Sequence, residues 1–411
     1  MQAGSTRRQD VARGLAGLAG FSATALLVVP KGLSLFACLL LAATLAALPD
    51  AWRGARHVPR ALYALLLSAL GVIAVVAVSM WRVDAPWSAL DNPSRVLLLP
   101  WCAWLAWVTR MRVSGLWYGA LVGLLVAFAI SIAQVSLGVE RAGSDANPIV
   151  FANAVLTLLV IAVFCRPSTT GALLLVLAAA ILVANVAVIL SGSRGVLPGL
   201  GLVVLVLLIG TAKRHRWRRL GGAIGVLSLL FVALWMVPWL STQFRLDELH
   251  GDVAGFATGA VDKPISARMA LWSVAWDAFR ESPLTGAGID TFAARIDAST
   301  YCLDAQRHFC GLGHAHNDIA QWGATMGLMG LVALAALYLV PLWVAAGQIR
   351  HTHPDQPVGP AWASGVLVVT YLVSGITQSM FAHALSASAF FVLGGLLLGS
   401  ALSSGRNVDR G

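Results

Sequence analysis

The chain has 411 residues, 58% of them hydrophobic and only 11% charged, with a formal net charge of +10. A soluble domain carries about 25% charged residues, so this composition excludes a soluble globule and leaves an all-α polytopic membrane protein. The positive excess is a matter of topology and not a nucleic-acid footprint, because it gathers on one side of the predicted spans.

A hydrocarbon core takes about 20 apolar residues per helix. Runs of that kind fall near 12–30, 33–49, 61–81, 96–109, 115–138, 149–165, 171–191, 195–212, 221–240, 327–348, 361–382 and 385–402, about twelve spans in all. The first follows Arg7, Arg8 and Arg13 in the manner of a signal peptide, but no clean small-residue cleavage site follows it, so it reads as a signal anchor. With the N-terminus inside, the cytoplasmic segments hold 17 of the 28 Lys and Arg against 4 of the 18 Asp and Glu. That places both termini in the cytoplasm and makes the Lys213–Arg219 run a stop-transfer and lipid-headgroup anchor.

The spans at 171–191 and 195–212 are joined by the tight turn Ser191-Gly192-Ser193-Arg194-Gly195. A guanidinium there is costly unless it reaches lipid headgroups or meets an anion, and flanking glycines that let a ligand approach favour the anion. After the ninth span comes the one long polar insertion, 241–315, too long for a connector. The chain therefore divides into a first set of spans (1–240), an outer loop domain (241–315), and the last three spans with a cytoplasmic tail (316–411).

Within the insertion, Pro264 and Ser282-Pro283 bracket a helix over 265–281. Ile265, Met269, Trp272, Trp276 and Phe279 recur on it at helical spacing, a face suited to the bilayer or to roofing a cavity. Arg268 shares a face with Trp272, Ala275 and Phe279, whereas a solvated arginine would lie opposite; an anionic partner or snorkelling explains that. Cys302 and Cys310 lie close together in an outward, oxidising loop and predict a disulfide, with two free thiols as the alternative. Cys38, Cys102 and Cys165 read as packing residues.

The insertion ends on Gly313-His314-Ala315-His316-Asn317-Asp318. From His316, Ile319, Ala320, Gly323, Gly327 and Gly330 follow on one helical stripe, so His316 tops a small-residue face and Asn317 and Asp318 occupy a first turn. The positive end of that helix keeps the imidazole neutral, as a general base requires. His314 is a weaker candidate. Two histidines two residues apart, without a His-Glu-x-x-His, a Cys/His cluster or an Asp-x-Asp pair, argue against a metal site. No Gly-x-Ser-x-Gly elbow is present. Apart from Arg13 at the edge of the first, the spans hold no Asp, Glu, Lys or Arg, which disfavours an ion-coupled transporter. His383, Gln134 and Gln378 read as satisfied packing residues. Two arginines and a neutral histidine on the outer rim suit an anionic lipid-linked substrate.

In these pieces the sequence resembles the O-antigen ligase/polymerase superfamily of bacterial membrane glycosyltransferases. The matching segments are Ser193-Arg194-Gly195, the helix from Arg268 to Trp272 with Pro283-Leu284-Thr285-Gly286-Ala287-Gly288, and His314-Ala315-His316-Asn317-Asp318 running into Gly327-Leu328-Met329-Gly330. The resemblance implies a GT-C-like fold of about twelve helices in the bacterial inner membrane, with one large periplasmic loop over a central cavity. It also implies an inverting transfer that needs neither metal nor cofactor. A glycan on undecaprenyl pyrophosphate would pass to a sugar hydroxyl of lipid A–core in lipopolysaccharide biosynthesis. His316 would then be the catalytic base, with Arg194 and Arg268 binding the pyrophosphate and stabilising the leaving group. Asp318 or His314 would assist. The superfamily's polymerases and O-linked protein oligosaccharyltransferases are the alternative readings.

Overall fold

A computed structural model describes residues 2–54, 58–167, 171–210, 264–303, 307–350 and 358–405. The predicted span at 221–240, the Lys213–Arg219 run and the first part of the insertion lie outside them. Among the described residues the fold is all helix: α1 (Gln2–Ala25), α2 (Leu33–Gly54), α3 (Arg60–Val83), α4 (Leu98–Thr109), α5 (Ser114–Ser136), α6 (Pro148–Phe164), α7 (Gly171–Ser191), α8 (Leu197–Gly210), α9 (Pro264–Glu281), α10 (Phe292–Asp297), α11 (Thr300–Leu303), α12 (Asp318–Ile349), α13 (Pro360–Gly375) and α14 (Ala384–Gly405).

This is a multi-pass membrane protein. Five helices are long and apolar enough to cross a bilayer: α3, α5, most of α7, α12 and most of α14; four shorter apolar stretches accompany them. The centre of the bundle is α14, whose apolar window is 94% buried, while that of α7 is 22% buried and faces outward. Gly395 and Gly399 let α14 approach α4 so closely that a Cβ at either would overlap the backbone of Leu99 or Ala103. Around this pair, α1 packs on α2 and α5, α12 packs on α3 and α13, and α7 packs on α5 and α6.

The insertion has an apolar core of its own. Ala267, Ala270, Leu271, Val274, Ala275 and Ala278 of α9 pack with Phe292, Ile296, Phe309 and Ala315. The face of α9 buried in this core is its alanine-rich side, while Trp276 on the aromatic face is 59% exposed. Cys302 and Cys310 are joined across this small core, with Cα atoms 6.0 Å apart.

α12 begins at Asp318, where the motif placed a first turn, and so extends ahead of the apolar run at 327–348. It is interrupted at Gly327, whose backbone (φ 59°, ψ −148°) is not helical, so the expected stripe of small residues does not run straight through. The segment Pro283–Gly288 fills the break. Leu328 and Met329 N–H groups donate to Pro283 and Leu284 carbonyls at 2.7 and 3.1 Å, and Ala287 and Gly288 N–H groups donate to Ala324 and Thr325 carbonyls at 2.8 and 2.9 Å. Backbone groups freed by the break are therefore satisfied inside the protein, as apolar surroundings demand. Arg82 at the end of α3 donates to Thr285 and Gly286 carbonyls at 3.0 and 3.1 Å and holds the splice in place.

Candidate active site

Three separate backbone elements bring arginines to one place. Arg194 opens a short 3-10 turn, Arg194–Val196, directly after α7. That turn lies against the segment between α13 and α14, because a Cβ at Gly195 would meet Thr377 Oγ1. Arg268 sits one turn into α9. Arg141 comes from the loop between α5 and α6, and the sequence reading missed it. Its Nε donates to the Ser191 carbonyl at 3.0 Å, and a terminal nitrogen reaches the Gly192 carbonyl at 3.4 Å and Ser193 Oγ at 3.5 Å. Gln134 sets that loop by accepting from the Gly143 and Ser144 N–H groups at 2.9 and 3.0 Å, so this buried amide has a positioning task. Burial, and then the charges of Arg194 and Arg141, push Arg268 below the ordinary arginine range. Three guanidinium groups within electrostatic reach of one another are the kind of arrangement that suits an anion.

The histidines lie beside the arginines. His316 is not in the first turn of α12, as its spacing suggested. It precedes the cap, in a left-handed conformation (φ 52°). Asn317 is the N-cap: its Oδ1 accepts from the Ala320 N–H at 3.0 Å and its Nδ2 donates to the Ile376 carbonyl at 2.9 Å. Trp272 Nε1 donates to the Ala315 carbonyl at 3.0 Å, tying α9 to the residue between the two histidines.

His316 Nδ1 meets Gln378 Oε1 at 2.5 Å, and Gln378 Nε2 meets His383 Nε2 at 3.0 Å. With the amide so placed, Nδ1 of His316 carries the proton and donates, which leaves the Nε2 lone pair for an incoming hydroxyl. The His314 ring packs edge-on against both others, with centroids 4.3 Å from His316 and 4.9 Å from His383. Burial first, then His314, with Arg268 and His383 adding, outweighs the Gln378 hydrogen bond and pushes His316 down to about 3. Burial and His314 push His383 down to about 4, and burial lowers His314. The neutrality expected of His316 is therefore present, but its causes are desolvation and neighbouring cationic groups more than a helix dipole. Among the described residues, no three His, Cys, Asp or Glu side chains are placed to share a metal ion.

Asp318 does not orient His316. Its side chain is buried (2% exposed) in the bundle, where one oxygen accepts from Tyr338 Oη at 3.0 Å and the other from the Phe381 N–H at 3.4 Å. An ionisable side chain thus stands inside the bundle at the start of α12, ahead of the expected span at 327–348. It fixes the 376–383 segment, and a Cβ at Gly375 would strike its carboxylate.

Residues 177–335 match the family model described as O-antigen ligase. A Haemophilus influenzae (strain ATCC 51907 / DSM 11121 / KW20 / Rd) protein, known only as an uncharacterized protein, is 22% identical over 302 residues, which are 72% of this chain and 75% of the relative. The family match takes in Arg194, Arg268, His314 and His316, and leaves out Arg141, Gln378 and His383.

Proposed function

We propose, from the match of residues 177–335 to the O-antigen ligase family model, that this chain is a member of that family and transfers a glycan from undecaprenyl pyrophosphate to a sugar hydroxyl of lipid A–core at the outer face of the bacterial inner membrane. The observation that carries this reading is His316, its Nδ1 committed to Gln378, within electrostatic reach of Arg268, which in turn feels Arg194 and Arg141.

The chemistry follows from that pairing. Arg194 and Arg268, with Arg141 behind the Arg194 turn, hold the pyrophosphate and disperse the charge that grows on it as the glycosidic bond breaks. His316 Nε2 takes the proton of the acceptor hydroxyl while its oxygen attacks the anomeric carbon. One C–O bond forms as the C–O bond to the diphosphate breaks, so the anomeric configuration inverts and undecaprenyl pyrophosphate departs with the electron pair. A diphosphate leaves without protonation, so no acid partner is needed. An anion bound at the arginines also offsets their pull on His316 and raises its basicity, so donor binding prepares the base.

The test is transfer by purified protein supplied with lipid-linked O-antigen and lipid A–core, in detergent with a chelator. Glycan should appear on lipid A–core, and His316→Ala should abolish transfer while donor binding persists. Chain growth on the lipid-linked donor would reassign the protein to polymerisation, and glycan on a protein hydroxyl would reassign it to O-linked protein glycosylation. Full turnover by His316→Ala would remove His316 from the chemistry.

A further inference from the structure

A cavity of about 190 Å³ adjoins the histidines, walled by α3, the turns at 87–97, Ile289, Asp290 and Gly313 of the insertion, α12, the 381–382 segment and α14. At about 30 Å³ per water it has room for roughly six waters, which is the space of one sugar ring. Its deep wall is apolar, formed by Val72, Val76 and Leu337. The rest of the lining includes Asn92, Asp290, Gln321 and Thr325, with aromatic surface from Trp322 and Phe381.

That inventory selects a ligand class. A carboxylate, two amides and a hydroxyl meet the in-plane hydroxyls of a pyranose, and aromatic rings accept its C–H face. A hydrocarbon chain would cover the Asp290 carboxylate and give the buried Asn92 Oδ1 no donor. A phosphate would face the Asp290 carboxylate, with no arginine in the lining to offset it. An uncharged sugar fits.

The cavity is wired to the base. Gly313 and Ala382 line it and directly precede His314 and His383, whose rings meet edge-on, with His314 also edge-on to His316. Gln321 Oε1 accepts from the Ala315 N–H, between the two histidines, at 2.8 Å. Asn92 Nδ2 donates to the Phe381 carbonyl at 2.6 Å, while its Oδ1, buried in the wall, finds no donor among the described residues. We infer that this cavity is the acceptor subsite, seating one terminal sugar of the acceptor glycan so that its hydroxyl meets His316 Nε2. The inference rests on the transferase reading and specifies which side of the histidine cluster the nucleophile occupies.

Two variants test it: Ala89→Trp, which fills the cavity from its wall, and Asp290→Asn, which keeps the volume and removes the charge. With donor and acceptor varied separately, each should raise the acceptor KM by about tenfold or more and leave the donor KM within about twofold, as expected for lost ground-state binding. Unchanged acceptor KM in both variants overturns the inference. A second measurement is independent of turnover: saturation-transfer NMR of core oligosaccharide, released from rough lipopolysaccharide by mild acid, on detergent-solubilised protein without donor. Loss of the wild-type signal in Ala89→Trp supports the cavity even if wild type transfers nothing, a result that would count against the transferase reading alone. A signal unchanged in both variants, or none in wild type, overturns the inference. Should Ala89→Trp fail to fold, Asp290→Asn carries both measurements.

Discussion

At the scale of single residues, the least expected assignment falls on Gln378. Read from sequence it is a polar residue near the end of an apolar run, and packing is the ordinary explanation for such an amide. In the structure it sets the tautomer of His316 and bridges to His383. Its removal should lower kcat about 10- to 100-fold, the usual effect of losing the group that orients a catalytic imidazole. Replacement by glutamate should do something different. With His316 at about 3 in the empty site, the acid limb of kcat/KM for wild type lies far below pH 6.5, since that ratio reports the free enzyme. A carboxylate at 378 favours imidazolium, so Gln378→Glu should move that limb upward by at least about one pH unit. The limb of kcat, which reports the donor-loaded complex, should lie above that of kcat/KM in wild type, because the bound pyrophosphate raises the base. A pH profile of Gln378→Glu that superimposes on wild type would show that the amide does not hold the base.

At the scale of elements, the splice between Pro283–Gly288 and the broken α12 decides how the loop domain is seated. The sequence showed both glycine-bearing pieces, and it showed the bounds of α9, because a proline and a Ser-Pro pair punctuate that helix. It could not show that the pieces pair, because the pairing is a backbone contact between segments some forty residues apart and leaves no period. The alanine side of α9 left no mark in the sequence, because large aromatic residues advertise an apolar face while the loop core accepts close-packed alanines. The start of α12 was legible in Asn317 and Asp318 as cap and first turn, ahead of the apolar run that begins near Gly327. Gly286 (φ 67°) is the test of the splice, since a Cβ there would overlap the backbone of Thr325, Met326 and Gly327. Gly286→Ala should cost about 3 kcal/mol or more from combined backbone strain and overlap. Gly311 is also left-handed (φ 81°) but open around its Cα, so Gly311→Ala should cost only about 1 kcal/mol. Thermal unfolding in detergent separates the two, and equal losses would mean the splice does not bear on stability.

At the scale of the whole molecule, the anion site is assembled from parts that local sequence cannot connect. Arg194 and Arg268 were legible because each sits where a solvated arginine would not. Arg141 follows Glu140 in a short outer loop and carries no such mark, and only the fold brings it to the Ser191–Ser193 carbonyls. Two of the three arginines belong to the bundle and one to the loop domain, so an anion held among them ties the two parts together. Inorganic pyrophosphate should therefore stabilise the folded protein by RT ln(1 + [L]/Kd), about 2.7 kcal/mol at a hundredfold excess over Kd, read as a rise in Tm. The rise should shrink with added salt to the extent that the site is open to solvent. Arg268→Gln should abolish it by removing the contact that the loop domain supplies among the described residues, and Arg141→Gln should weaken it by releasing the Arg194 turn. His316→Ala should preserve it, because the base is not needed to hold the anion. A Tm shift that survives Arg268→Gln in full would place the anion elsewhere and detach the loop domain from donor binding.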